Sequence, residues 1–163
     1  MTLFQSGLRV LNEMKTSGVV REYAVAGAMA LAFWIEPVPT YDLDVLVFLP
    51  PSEQPLVSLR PIYDWALARG FVEKDEHVLI EGLPVQFLPS HNELADEAVQ
   101  TAETLDYLGV AVRVVRPEYL IALYLEPSAR TAKRRERAAA LLESPRLDRP
   151  QLDELLRRFN LRM

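Results

Sequence analysis

One stretch decides the fold of this chain: Thr40-Tyr41-Asp42-Leu43-Asp44-Val45-Leu46-Val47-Phe48, which follows a glycine-bearing turn at Ala26-Gly27-Ala28. A strand repeats every two residues, so Asp42 and Asp44 project from the same face at the mouth of an apolar run. Two neighbouring carboxylates repel each other and lose hydration on burial unless a cation joins them. The pair therefore predicts a magnesium site.

The residues around the turn predict a phosphate site beside that metal. Val19 to Val25 is apolar and β-branched apart from Arg21 and Glu22, and Gly27 ends this run. The apolar segment from Ala28 to Trp34 then has the composition of a buried helix. Backbone N–H groups at the start of such a helix bind phosphate oxygens. Gly27 lacks a Cβ and allows close approach, whereas Ala28 would contribute only its N–H group.

Composition limits the class of protein. The chain has 163 residues, half of them hydrophobic, which suits one domain with a real core. No apolar run reaches the length of about 18 residues that a membrane span needs. There is no cysteine, so disulfides and thiolate zinc sites are excluded. We expect a soluble cytoplasmic protein that makes no membrane contact. Its net charge of −5 argues against broad nonspecific binding of nucleic acid.

The order of elements predicts an α+β or α/β fold with a small mixed sheet flanked by helices. Residues 1–163 form a single domain in this interpretation, with the core sheet and its helices in 1–115 and a helical tail in 116–163. His77 to Ile80 and Leu83 to Leu88 predict a hairpin. In the tail, we expect helices to begin at Pro117, Ser128 and Pro150.

The segment from Tyr23 to Asp44 resembles the signature of the nucleotidyltransferase superfamily, which has the polymerase-β-like fold. It is most similar to the small AbiEii-type and related bacterial nucleotidyltransferase-like proteins. In that family a glycine turn is followed, about a dozen residues later, by T-x-D-x-D, here Thr40 to Asp44. The resemblance implies that Asp42 and Asp44 bind Mg²⁺ or Mn²⁺. It also implies that Gly27, Ala28 and Thr40 help to hold a nucleoside triphosphate.

Three later segments resemble the family more weakly. Val85-Gln86-Phe87-Leu88 resembles a strand that often bears a third carboxylate, and here Gln86 stands at that position. The segment 131–137 resembles a helix with a lysine usually followed by aspartate, and here Arg134 follows Lys133. Asp153 and Arg157 resemble a closing D-x-x-x-R/K element, where a supporting role competes with ordinary exposed helix charges.

A cluster of basic residues lies in the predicted tail. Arg130, Lys133, Arg134 and Arg137 follow helical spacing and would share one broad face. One interpretation is a solvated helix face. In the other, Lys133 or Arg130 reaches the triphosphate or the backbone of an RNA acceptor, and Lys133 acts as a catalytic residue.

The resemblance implies Mg²⁺-dependent transfer of a nucleoside monophosphate from a nucleoside triphosphate to an acceptor. It suggests a toxin of a toxin–antitoxin pair, with tRNA or a protein as acceptor and an antitoxin protein as partner. A second hypothesis is a weak or inactive relative that binds a nucleotide or a protein, because Gln86 adds no negative charge. A third is a sugar-nucleotide site, since glycosyltransferases also use D-x-D, and we rank it last.

Overall fold

A computed structural model describes residues 2–37, 42–51 and 58–163. Within these ranges the chain forms seven α-helices and seven strands. The helices are α1 (Leu3–Thr16), α2 (Gly27–Trp34), α3 (Arg60–Ala68), α4 (Glu93–Gln100), α5 (Pro117–Leu125), α6 (Ala132–Leu141) and α7 (Arg149–Arg158). The strands are β1 (Glu22–Ala26), β2 (Leu43–Phe48), β3 (Val72–Lys74), β4 (His77–Ile80), β5 (Leu83–Pro89), β6 (Glu103–Tyr107) and β7 (Val110–Val114).

The described strands form one mixed sheet in the order β3-β4-β5-β2-β1-β7-β6. The central strands β1 and β2 are antiparallel, whereas β2 pairs with β5, and β1 with β7, in parallel. The predicted α+β architecture with a mixed sheet is therefore confirmed. This strand order brings the end of β1, the start of β2 and the middle of β5 together, where Asp44 pairs with Ala26 on one side and with Gln86 on the other.

The centre of the molecule is built from elements that are apolar on all sides. In β1, every residue after Glu22 is buried. The short helix α2 follows directly; it is apolar on all sides and none of its residues is fully exposed, as expected of a helix packed between a sheet and other helices. In α5, all residues except Leu123 are buried, and this helix carries α6 and α7 against the core. None of the helices in the described ranges is both long and apolar enough to span a bilayer.

The predicted hairpin of β4 and β5 is confirmed, including its turn at Glu81-Gly82. The predicted start of a helix at Ser128 is wrong. Residues 127–129 form a single 3-10 turn, and α6 begins only after Thr131, whose side chain accepts a hydrogen bond from the N–H of Arg134. Both residue types are favourable helix caps, so the sequence did not distinguish them. The strand β3 is short and exposed, and its sequence had not predicted a strand.

We expect Tyr23 to control stability at high pH. Its buried hydroxyl donates a hydrogen bond to Oδ1 of Asn12 at 2.6 Å, and burial is the main cause that raises its pKa from 10.0 to about 12. The unfolded chain therefore loses this proton first. The stabilisation is complete below pH 10 and decreases by about 2–3 kcal/mol as the pH rises to 12.

Tyr23→Phe tests this expectation when urea unfolding is followed between pH 8 and pH 11.5. At pH 8 the variant should be less stable by about 1 kcal/mol, because it lacks the hydrogen bond. Above pH 10 it should lose less stability than the native protein. Parallel pH curves for the two proteins would contradict the assignment.

Candidate active site

The turn between β1 and α2 packs directly against an acidic side chain. Gly27 has a φ of 63°, in the left-handed region, and Ala26 pairs with Asp44 across the sheet. A Cβ at position 27 would collide with Oδ2 of Asp44 and would lie 3.1 Å from its Cβ and Cγ. Gly27 thus meets two requirements at once: a positive φ and close approach to the carboxylate.

The backbone N–H groups at the N-terminus of α2 are not capped by a side chain. Ala26 occupies the cap position and has no side chain that could accept a hydrogen bond from the first-turn N–H groups. Those groups carry the positive end of the helix dipole. They include the N–H of Ala28, whose predicted role in phosphate binding stays a prediction. Gly27, the first residue of the helix, is the one that packs against Asp44. Thr40 lies outside the described residues.

The two aspartates influence each other electrostatically. Asp44 lies within β2 and is half-buried, and Asp42 precedes the strand. The pKa of Asp44 is raised, mainly by burial and next by the negative charge of Asp42. Three groups oppose the shift: His77, Arg137 and Arg134. The carboxylate of Asp44 therefore lies between a second acid and a set of basic side chains.

The amide at the position of a third acid lies next to Asp44. Gln86 is the direct partner of Asp44 across the parallel β2–β5 pair, so both side chains project from the same face of the sheet. Its Nε2 donates a hydrogen bond to Oε2 of Glu76 at 3.3 Å. Glu76, in the β3–β4 turn, thus brings a carboxylate next to β5, where Gln86 provides only an amide.

A histidine that the sequence analysis did not include also lies here. Nε2 of His77, the first residue of β4, is 3.4 Å from Oδ2 of Asp42. The register of the predicted β4–β5 hairpin could have indicated that His77 lies at this site. Continued by one residue beyond the Val78–Val85 pair, the antiparallel register sets His77 opposite Gln86, and thus in the same row as Asp44.

Two arginines of the basic cluster lie near enough to Asp44 to act on it electrostatically. Arg134 and Arg137, one turn apart on α6, are the side chains whose charges act on Asp44. Lys133 is exposed on the same helix, as Arg134 is, and its predicted catalytic role stays a prediction. Arg130 precedes α6, so it does not share the predicted helix face, and it donates a hydrogen bond to the carbonyl oxygen of Arg162.

The buried hydroxyl of Tyr124 lies next to these arginines. Its pKa is raised, mainly by burial, while Arg137 acts in the opposite direction and Asp44 raises it further. The hydroxyl makes no hydrogen bond of good geometry with any described residue. The hydroxyl of Tyr124 therefore lies within electrostatic range of both Arg137 and Asp44. Asp153 and Arg157 are exposed on α7, and their predicted supporting roles stay predictions.

The carboxylate oxygens of Asp42 and Asp44 are suited to bind a divalent cation that also binds a substrate. Asp42 and Asp44 offer hard carboxylate oxygens whose mutual repulsion a cation would relieve, and Mg²⁺ is commonly held by one or two carboxylates together with substrate phosphates. Across residues 2–37, 42–51 and 58–163, no three acidic or histidine side chains come together closely enough to hold a metal ion.

A separate cleft of about 520 Å³ lies along α1 and the end of α3. It is lined by Arg9, Asn12, Glu13, Thr16, Ser17 and Arg69. None of these side chains belongs to the aspartate site. Arg69 forms an ion pair with Glu13 and stacks on Trp65, so the charged side chains of this cleft already interact with other residues of the protein.

Comparison of the sequence finds no matching protein family and no matching curated protein. Comparison of the structure does find relatives. An antigenic nucleotidyltransferase-like protein from Paracoccidioides brasiliensis superposes with a TM-score of 0.55 and 16% identity, over 96% of this chain and 87% of that protein.

The antibiotic-resistance factor ANT(2″)-Ia is similar in two structures. The crystal structure with adenylyl-2″-tobramycin gives a TM-score of 0.56 and 14% identity, over 98% of both chains. The solution structure gives a TM-score of 0.53 and 18% identity, over 98% of this chain and 93% of that one. The predicted fold is confirmed over nearly the whole length: this chain has the nucleotidyltransferase fold.

Proposed function

We propose that this protein transfers a nucleoside monophosphate from a nucleoside triphosphate to a hydroxyl-bearing acceptor. The observation that carries the proposal is the packing of the Gly27 turn against Asp44. It sets the uncapped N-terminus of α2 next to a pair of carboxylates. Anion-binding N–H groups beside cation-binding carboxylates suit a metal-bound polyphosphate.

Each group has a distinct role in this proposal. The first-turn N–H groups of α2 bind phosphate oxygens, and Arg134 and Arg137 approach the same charge from α6. Asp42 and Asp44 would hold Mg²⁺ or Mn²⁺, which when bound neutralises charge at the α-phosphate and activates the acceptor oxygen. The oxygen of the acceptor hydroxyl forms a bond to the α-phosphorus and gives up its proton to solvent. The bond between the α-phosphorus and the oxygen that bridges to the β-phosphorus breaks, and pyrophosphate leaves with that electron pair.

The second candidate is a nucleotide-binding relative without turnover. It is favoured by Gln86, which lies beside Asp44 and adds no negative charge to the site. Both candidates require nucleotide binding at the same residues. They differ in whether pyrophosphate is released.

Incubation with α-labelled nucleoside triphosphates separates the two. The four ribonucleotides are each tested with Mg²⁺, with Mn²⁺ and with EDTA, and pyrophosphate is measured. Pooled tRNA and cell protein test the acceptors predicted from the sequence, and tobramycin tests the acceptor present in the ANT(2″)-Ia complex. Metal-dependent pyrophosphate release with a labelled product supports transfer. Binding without release supports the second candidate.

Arg137→Gln is expected to weaken the binding of a nucleoside triphosphate about 10- to 100-fold, because it removes a charge-assisted contact to phosphate. Calorimetric titration with Mg²⁺ and a non-hydrolysable analogue measures the effect. Arg135→Gln, an exposed position on the same helix, serves as the matched control and should leave affinity unchanged. Lys133→Gln tests the sequence prediction directly. A larger loss with Lys133→Gln than with Arg137→Gln would reverse our assignment of the phosphate-binding side chain.

A further inference from the structure

His77, on strand β4, lies next to the Asp42–Asp44 pair although it is distant from the D-x-D motif in sequence. Nε2 of His77 lies 3.4 Å from Oδ2 of Asp42. The His77 side chain is 26% exposed, whereas that of Asp42 is 47% exposed. The histidine is the more firmly packed partner, so it is the one that restricts the other.

The sheet itself fixes His77 in this place. Three strands connect it to the aspartates: β4 pairs with β5, and β5 pairs with β2. Val78 and Ile80, on the same strand, are completely or almost completely buried. The backbone of His77 therefore belongs to a packed part of the sheet, which sets where its side chain begins.

The surroundings of Nε2 of His77 indicate that Asp42 is its partner. Nε2 of His77 is buried and has no well-aligned hydrogen bond within the described part of the chain. A buried polar atom without a partner costs free energy, which favours small adjustments that bring it towards an acceptor. The carboxylate of Asp42 is the acceptor that the geometry provides at 3.4 Å.

We infer that His77 is a positioning residue that orients the carboxylate of Asp42 for the divalent cation. The inference rests on the proposed function, because it requires that Asp42 and Asp44 bind that cation. Groups that hydrogen-bond to metal ligands restrict their rotamers and set their direction, and losing such a group typically weakens metal affinity 10- to 100-fold.

The test measures metal binding rather than turnover. Mn²⁺ is titrated into the protein, alone and with the α,β-methylene analogues of ATP, GTP, CTP and UTP, and free Mn²⁺ is followed by electron paramagnetic resonance. Two variants are compared at this position: His77→Leu removes the ring nitrogen, and His77→Gln keeps an N–H donor. The control is His91→Leu at the exposed second histidine.

We expect His77→Leu to bind Mn²⁺ 10- to 100-fold more weakly, and His77→Gln and His91→Leu to stay within about threefold of the native protein. Native affinity in His77→Leu overturns the inference and leaves the proposed function intact. Equal losses in the leucine and glutamine variants overturn it too, because they indicate a packing role. If the native protein binds Mn²⁺ in none of these mixtures, the proposed function fails and the inference fails with it.

Discussion

Replacing Asp42 and Asp44 together by asparagine is expected to abolish metal-dependent nucleotide binding and to reduce pyrophosphate release by about 10³-fold or more. The two carboxylates hold the cation in our proposal, and its contribution to stabilising the transferred phosphate is several kcal/mol. Each 1.36 kcal/mol corresponds to a tenfold change in rate. Binding is measured by calorimetry with Mg²⁺ and an α,β-methylene nucleotide.

The same double variant should fold normally. Burial and the charge of Asp42 raise the pKa of Asp44, so the ionised pair opposes folding rather than supporting it. We therefore expect an unfolding temperature equal to or above that of the native protein. The control replaces two other acids, Asp64→Asn and Glu73→Gln, which form surface ion pairs with Arg60. Nucleotide affinity that survives in the Asp42/Asp44 variant would contradict the assignment of the metal ligands.

Gly27→Ala is expected to damage both stability and binding. An alanine at a φ of 63° costs about 1–2 kcal/mol in backbone strain. Its Cβ would also collide with the carboxylate of Asp44, which must then move. The displacement removes the packing of the turn against the acid, so we expect metal-dependent nucleotide binding to be lost. Urea unfolding and nucleotide titration measure the two effects separately.

Gly109→Ala provides the matched control. Gly109 also has a positive φ, of 90°, but a Cβ there would meet no atom within 4 Å. This variant should show the backbone strain of about 1–2 kcal/mol and native nucleotide affinity. If Gly27→Ala behaves like Gly109→Ala in both measurements, the close approach of the turn to Asp44 has no functional role.

Local sequence patterns predicted the central part of the fold. The order of apolar strand, glycine, apolar helix and D-x-D strand covers β1, α2 and β2, which are consecutive and mostly buried. Hydrophobic periodicity is strong in such elements, and Gly27 marks the break between them. Short exposed elements lack this signal. β3 has three exposed residues, and the start of α6 depended on which of two hydroxyl residues acts as the cap.

The candidate site was predictable only where its residues are neighbours in sequence. Gly27, Asp42 and Asp44 lie within one short segment and were found together. His77 and Arg137 approach Asp44 from β4 and α6, and their contribution depends on the register of the sheet and the rotation of a helix. The rotation of α6 places the charges of Arg134 and Arg137 near Asp44, and the basic run in the sequence gives no preference among its members.

The most direct test of the central claim is the thermal unfolding of the native protein with each ribonucleoside triphosphate, in Mg²⁺ and in EDTA. A ligand at about 100 times its dissociation constant adds about 2.7 kcal/mol of stability, or roughly 5–10 °C for a domain of this size. We predict that at least one nucleotide gives this shift in Mg²⁺ and that the shift disappears in EDTA. The claim is contradicted if no nucleotide shifts the transition, or if the shift is the same in EDTA.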